Sequence, residues 1–256
     1  MISLQASDWR LDGVETVIFD KDGTLTDSHL YWGRIIELRA TEIIERFNLE
    51  TSVAFYEICK AFGYNMITKR LQPEGPVALV SRSKVISVVN TYLIHNYGIM
   101  TSVEDMEGVF NKVQEQFQQK IIPYIRVLPG VKEFLDTLLF YNIKMAVVTS
   151  DSRESTNLAI KTLGLGSYFD IVIGREDCVG TKEGGAPCQM AVDRLNANPA
   201  TTITIGDAPV DITMARMCDL LGGVSVCTGQ IPEEELQLHT PYVVADLSEI
   251  TARSTI

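Results

Sequence analysis

The chain has 256 residues, 46% hydrophobic and 21% charged, with a formal net charge of −11. That is enough apolar material for one large domain or two modest ones. The acidic balance argues against a nucleic-acid backbone or an anionic membrane as the main partner, though not against a phosphorylated ligand, because a bound cation reverses the local field. Five cysteines (59, 178, 188, 218 and 227) form no CxxC pair. They read as reduced thiols, mostly core filler, in a reducing compartment. The first eight residues lack the basic and apolar segments of a signal peptide. No apolar run approaches the roughly 18 residues that span a bilayer. A soluble, cytoplasmic setting is expected.

Residues 1–13 read as a polar lead-in that adds an edge turn at most. Residues 14–19 (Val-Glu-Thr-Val-Ile-Phe) are rich in β-branched and aromatic side chains, so a buried strand is expected. It ends in Asp20-Lys21-Asp22-Gly23, where Asp-Gly signals a turn. Taken alone, Asp-x-Asp-Gly reads equally well as a polar turn closing a strand. From Ser28 to about Phe47, Leu30, Ile35, Ile36, Leu38, Ile43 and Ile44 alternate with Arg34, Glu37, Arg39, Glu42, Glu45 and Arg46, a helical pattern. A second helix is expected over 53–62, before Gly63 and the Gln72-Pro73-Glu74-Gly75-Pro76 break. Val85, Val88, Val89, Tyr92 and Leu93 form the next stripe, ended by Gly98. Thr101 and Glu104 suggest a capping box, and Met106, Phe110, Val113 and Phe117 mark a helix that stops before Pro123. Residues 28–125 are therefore expected to be all helix, with almost no strand signal.

After Pro129-Gly130 the pattern changes. Helices are expected over 131–140, from a Ser152 cap to Leu163, over 186–195, over 209–217 with Pro209 in the first turn, and as a short acidic segment over 232–238. Strands are expected over 144–149, 169–173, 202–205, 223–227 and 242–245. Strands alternating with helices imply a parallel sheet with helices on both faces. The expected fold class is thus α/β, with a discontinuous core of 1–27 and 128–256 interrupted by a helical domain of 28–127.

In open parallel sheets, ligands bind at the carboxyl ends of the strands. Three predicted strands end there in short polar residues: Asp20 and Asp22, then Thr149-Ser150-Asp151, then Gly206-Asp207 with Asp211 four residues on. Each has a plain alternative, as a turn former or helix cap. Clustered carboxylates repel one another unless protonated or bridged by a cation. Oxygen donors with no His or Cys nearby favour Mg²⁺. One carboxylate can then attack a phosphoryl group, and another two residues away can protonate the leaving oxygen and later activate water. A strand-end hydroxyl and its following amide can hold phosphoryl oxygens, and a lysine can balance charge.

Phe19-Asp20-Lys21-Asp22-Gly23-Thr24-Leu25, Val148-Thr149-Ser150, Lys182 and Ile205-Gly206-Asp207-Ala208-Pro209-Val210-Asp211 resemble the four ordered motifs of the haloacid dehalogenase-like hydrolase superfamily. The resemblance covers the whole core. The helical insertion resembles a C1-type cap, as in the phosphoglycolate phosphatase and β-phosphoglucomutase branch. The resemblance implies a Rossmann-like parallel-sheet core and an aspartyl-phosphate mechanism. In it Asp20 is the nucleophile, and Asp22 is the general acid/base and a Mg²⁺ ligand through its carbonyl. Thr149 and the Ser150 amide hold the phosphoryl group, Lys182 balances charge, and Asp207 binds the metal. Asp211 is either a ligand or an outer anchor. An acid at position 22 favours phosphate ester chemistry over the dehalogenase and phosphonatase branches, which lack it. One departure from the pattern is that Pro187 follows Lys182 late, after Glu183-Gly184-Gly185-Ala186.

The expected function is Mg²⁺-dependent hydrolysis of a small phosphorylated metabolite. The alternatives are a phosphomutase or phosphotransferase using the same Asp pair, and a non-catalytic binding protein of the same fold. In the helical insertion Lys69, Arg70, Arg82 and Lys84 could meet an anionic leaving group, but read first as solvated helix-end charges. His29 reads as a surface or hinge residue, Tyr31 and Trp32 as packing between cap and core, and Glu233-Glu234-Glu235 as a solvated helix start.

Overall fold

The computed structural model describes residues 1–77 and 79–255. In chain order the elements are β1 (Ile2–Gln5), β2 (Arg10–Val14), β3 (Thr16–Phe19), α1 (Ser28–Phe47), α2 (Thr51–Ala61), β4 (Tyr64–Asn65), β5 (Arg70–Leu71), α3 (Arg82–Tyr97) and α4 (Val103–Gln118). They continue with α5 (Val131–Phe140), β6 (Lys144–Val148), α6 (Arg153–Thr162), β7 (Ile171–Ile173), α7 (Ala186–Leu195), β8 (Thr202–Gly206), α8 (Pro209–Met217), β9 (Gly222–Val226), α9 (Glu233–Leu236), β10 (Val243–Val244) and β11 (Thr251–Ser254). The chain divides into two compact units, Met1–Asp27 with Ile125–Ile256, and Ser28–Tyr124.

The first unit is an α/β layer structure around a six-stranded sheet, ordered β10-β9-β8-β3-β6-β7 with every neighbouring pair parallel. Parallel sheets are covered on both faces, so their strands read as near-continuous apolar runs. Val17, Ile18 and Phe19 of β3 are accordingly all fully buried. Val17 and Phe19 join one apolar cluster with Phe134, Val147, Ile203 and Val224, and Ile18 joins another with Ala146, Val148, Cys188 and Ala191. Phe19 meets Phe134 and Phe169 edge-on, the arrangement favoured by the ring quadrupole. The strand order reverses at β3, with β6 on one side and β8 on the other. That is the switch point at which open sheets bind ligands.

The N-terminal segment is more than a lead-in. Residues 2–5 and 10–14 form strands of a second, antiparallel sheet, ordered β11-β1-β2. The closing strand β11 was not expected from the sequence, because its register depends on β1, some 250 residues away. Trp9 packs edge-on against Tyr242 and donates its indole N–H to the Val243 carbonyl at 3.2 Å.

The second unit is mainly helical, around Ile36, Ile43, Phe62, Val89, Leu93, Met106 and Phe110. Five local expectations do not hold in this unit. A two-residue hairpin, β4 with β5, interrupts the expected all-helical stretch. The cap of α4 is Ser102 with Asp105, not Thr101 with Glu104. Val88 points outward, and Ile86 takes its place in the buried stripe. Arg39 is not on the polar face of α1. It is buried, with its guanidinium carbon 3.7 Å from the centre of the Phe110 ring. Its Nε has no hydrogen-bond partner, and burial, helped by the Arg82 charge, lowers its pKa to about 9. His29 is also buried, and its Nδ1 accepts the Leu71 N–H at 3.0 Å, tying β5 to the start of α1. Tyr31 stacks edge-on against Trp32 and Phe117 inside this unit. Among the described residues no helix is long and apolar enough to cross a membrane. The five cysteines are free thiols, and Cys59, Cys188 and Cys218 are buried.

Among the described residues Arg39 makes no ion pair, and a buried guanidinium without one loses hydration that one aromatic face only partly replaces. Arg39→Met should therefore leave thermal stability unchanged or raise it by up to about 2 kcal/mol. His29→Leu, which strands the Leu71 N–H, should lower it by about 1–3 kcal/mol. Thermal unfolding of the two variants, followed by circular dichroism, checks the opposite signs.

Candidate active site

The site follows from the register of three adjacent strands. Phe19 of β3 lies opposite Val147 of β6 and Ile205 of β8. The next residue, Asp20, donates its N–H to the Ile205 carbonyl at 2.9 Å. Asp20 therefore stands level with the end of β8, where Gly206 leads to Asp207, and with the end of β6, where Val148 leads to Thr149. Neighbouring strands lie about 4.8 Å apart, so residues distant in sequence meet at this edge. Asp20, Asp207 and Asp211 each offer a carboxylate oxygen, and these oxygens lie within 4.8 Å of one another.

Lys182 enters this group from a short 3₁₀ turn, Lys182–Gly184. Its Nζ donates to Asp20 Oδ1 at 2.5 Å and to Asp211 Oδ1 at 2.8 Å, and all three side chains are buried. Burial alone would disfavour the ammonium, but Asp20 and then Asp211 outweigh it and push the Lys182 pKa up. Asp211 also accepts the Ala208 N–H, which holds it in the first turn of α8. Burial raises its carboxyl to about 6, with Lys182 pulling down and Asp20 pushing up. The Asp207 carboxyl is raised well above its usual range, by burial first and then by Asp20 and Asp211. A carboxylate group this crowded is completed by a cation or holds protons.

The Asp207 carboxylate is wedged between two backbones. A Cβ placed on Gly23 or on Gly229 would run into its Oδ2. Gly23 also needs its positive φ of 86° for the turn after Asp22. Thr228 Oγ1 donates to the Gly23 carbonyl at 2.5 Å, joining the two glycine loops. The spacing of the motif residues did not point to Gly229 or Thr228. They reach the site because β9 lies next to β8.

On the other side of β3 a second charged group forms. Lys21 Nζ lies 2.8 Å from Asp151 Oδ2 and 3.1 Å from Asp22 Oδ2. Asp22 Oδ1 also accepts from Thr26 Oγ1 at 3.2 Å. The Asp22 carboxyl is raised to about 6, mainly by burial, with Lys21 pulling down and Asp151 and Asp20 pushing up. Asp151 goes the other way. Burial opposes its charge, but Lys21 and the Ser152 and Ser155 hydrogen bonds hold its carboxyl below the usual range. Thr149 is buried, and its Oγ1 accepts the Asp151 N–H at 3.1 Å, while Ser150 is exposed. The sequence reading placed Lys21 inside the first motif and Asp151 among the polar residues ending β6, and gave neither a role.

Behind the site the chain leaves for the helical unit and returns as a clasped pair of segments. Asp27 donates its N–H to the Arg126 carbonyl at 3.0 Å, and Leu128 donates to the Leu25 carbonyl at 3.1 Å. Arg126 Nη2 and Asp27 Oδ2 lie 2.5 Å apart. Within the helical unit Lys69 pairs with Glu37, and Arg82 pairs with Glu107 and bonds Asn111. Arg70 and Lys84 are exposed.

With this geometry in view, comparison with known proteins assigns the chain to a family. Residues 17–220 match the model of the haloacid dehalogenase-like hydrolases. The chain belongs to that family of hydrolases. Pyrophosphatase PpaX of Oceanobacillus iheyensis is 21% identical over 237 residues, covering 93% of this chain and 95% of the relative. The phosphoglycolate phosphatase of Pectobacterium atrosepticum is 30% identical over 116 residues, 45% of this chain and 49% of the relative. The crystal structure of a predicted phosphoglycolate phosphatase from Haemophilus somnus superimposes with a TM-score of 0.72 at 16% identity, covering 92% of this chain and 96% of the other. At that identity the likeness speaks for the fold.

Because both glycine loops press on Asp207, Gly229→Ala should displace its carboxylate while leaving the sheet intact. The expected result is a circular dichroism spectrum like wild type, with whatever rise in melting temperature Mg²⁺ gives the wild-type protein reduced or lost. An undiminished rise would show that Asp207 does not need this wedge.

Proposed function

We propose that the protein is a divalent-metal-dependent phosphatase that hydrolyses a small phosphorylated metabolite through a covalent phosphoryl group on Asp20. The observation that carries this reading is the set of Asp20, Asp207 and Asp211 oxygens within 4.8 Å, with Asp20 and Asp211 buried, Asp207 half-buried and Lys182 bridging Asp20 and Asp211.

Hard oxygen donors without nitrogen or sulfur suit Mg²⁺. Asp20, Asp207 and the Asp22 carbonyl would hold the ion, with Asp211 as a further ligand or an anchor for Lys182. When bound, Mg²⁺ would neutralise the carboxylates and the incoming phosphoryl oxygens. The remaining chemistry belongs to the chain. Asp20 attacks phosphorus, the bond to the leaving oxygen breaks, and Asp22 gives that oxygen its proton. Asp22 then takes a proton from water, whose oxygen attacks phosphorus and frees phosphate and Asp20. A carboxyl raised toward neutrality suits a group that must both give and take a proton. Lys182 keeps one Asp20 oxygen oriented and balances charge. Thr149 Oγ1 and the Ser150 amide are assigned to the phosphoryl oxygens. The helical unit, inserted between Asp27 and Ile125, is assigned the role of a cap that selects the substrate.

Wild-type and Asp20→Asn protein on p-nitrophenyl phosphate test this. Wild type should release phosphate in Mg²⁺, stop on chelation and recover when the metal is returned. Asp20→Asn should lose at least about 10³-fold in kcat. Equal inertness of both proteins across divalent metals would overturn the reading. Turnover only in the presence of a sugar bisphosphate would replace it with a phosphomutase. A panel of phosphate esters that includes phosphoglycolate and pyrophosphate would assign the substrate.

A further inference from the structure

Lys21 lies between two carboxylates that the proposed chemistry treats differently. Its side chain is only 1% exposed, among the largest fully buried side chains of the protein. A buried ammonium without charge partners loses several kcal/mol of hydration, so its surroundings must compensate. They do so with Asp151 Oδ2 at 2.8 Å and Asp22 Oδ2 at 3.1 Å. Asp151 lies just past the end of β6 and Asp22 just past the end of β3, so the ammonium links two loops of separate strands. Asp151 is itself fixed: its Oδ1 accepts the Ser152 N–H at 2.8 Å and its carbonyl accepts the Arg175 N–H at 3.0 Å. The anchored end of the bridge is thus Asp151, and the end that does chemistry is Asp22.

The sheet edge carries one lysine per carboxylate pair: Lys182 for Asp20 and Asp211 beside β8, and Lys21 for Asp22 and Asp151 beside β6. Without Lys21, Asp22 would face the Asp151 and Asp20 charges with no intervening cation, and repulsion would drive its carboxyl away. Thr26 holds only Oδ1, at 3.2 Å. One neutral hydrogen bond contributes about 1 kcal/mol, too little to hold a carboxylate against two like charges in a buried site.

We infer that Lys21, anchored on Asp151, is a positioning residue for the acid/base carboxylate Asp22 and holds it where it can protonate the leaving oxygen. Lys21 touches neither substrate nor metal in this assignment. The inference rests on the phosphatase reading above and gives a reason for a lysine between the two aspartates, where a small apolar residue would pack at less electrostatic cost.

The signature is dependence on the leaving group. An alkoxide leaving from a phosphate ester needs its proton, whereas p-nitrophenolate leaves without one. Lys21→Met should lower kcat/KM on the best alkyl phosphate of the panel roughly 10- to 100-fold, while kcat/KM on p-nitrophenyl phosphate, which reports only the step in which the leaving group departs, changes less than about 3-fold; the water-activation step is common to both substrates and drops out of this comparison. Asp151→Asn, which frees the anchored end, should show the same split with a smaller loss. It also decides the matter if Lys21→Met does not fold, as judged by circular dichroism. A folded variant whose kcat/KM falls equally for both substrates, or for neither, overturns the positioning role while the phosphatase reading stands on wild-type turnover. A wild type inert on every ester removes both.

Discussion

Five carboxylates (Asp20, Asp22, Asp151, Asp207 and Asp211) converge on the carboxyl edge of one parallel sheet, and their mutual repulsion constrains everything built around them. Two like charges a few ångströms apart in a poorly hydrated site repel by several kcal/mol. The fold answers with two buried ammonium groups, Lys182 between Asp20 and Asp211, and Lys21 between Asp22 and Asp151. Asp207 makes no ion pair among the described residues, and burial with the Asp20 and Asp211 charges outweighs the pull of Lys182 and raises its carboxyl well above the usual range. In the phosphatase reading proposed above, this is the charge that a cation and a phosphoryl group would meet beside Asp20.

That convergence depends on the sheet being parallel and on where its order turns. Placing β3 between β6 and β8 aligns the ends of three strands whose last residues, Phe19, Val148 and Gly206, are far apart in the chain. The same arrangement leaves little room for side chains. Gly23 and Gly229 are required because the Asp207 carboxylate occupies the space a Cβ would take. The insertion of nearly 100 residues directly after Asp27 is tolerated because the outgoing and returning segments pair with one another, so the loop it opens begins and ends at one point.

Much of the core was legible because its signals are local. Apolar runs ending in Asp or Thr, helix caps such as Ser152, and Pro209 at the start of α8 announce strands and helices from a few residues each. The unread features depend on contacts between distant segments. Strand β11 exists because β1 pairs with it across the whole chain. Arg39 follows the polar rhythm of α1, yet the ring of Phe110 on α4 takes it inside. His29 looks like a surface residue until the Leu71 amide approaches it. The hairpin of β4 and β5 is too short to leave a periodic trace.

By itself the sequence determined the chemistry on offer and its order along the chain: carboxylates at strand ends, a hydroxyl after β6, a lysine before α7, and a helical interruption behind the first motif. Only the tertiary structure decided which charges share which neighbours. Periodicity reports which way a side chain faces, but pairing energies depend on distances between segments that sequence spacing does not encode. The motif implied a charge-balancing Lys182 but not that it bridges Asp20 and Asp211; that bridge, Lys21 shared by Asp151 and Asp22, and Gly229 pressed on Asp207 come from contacts between distant segments.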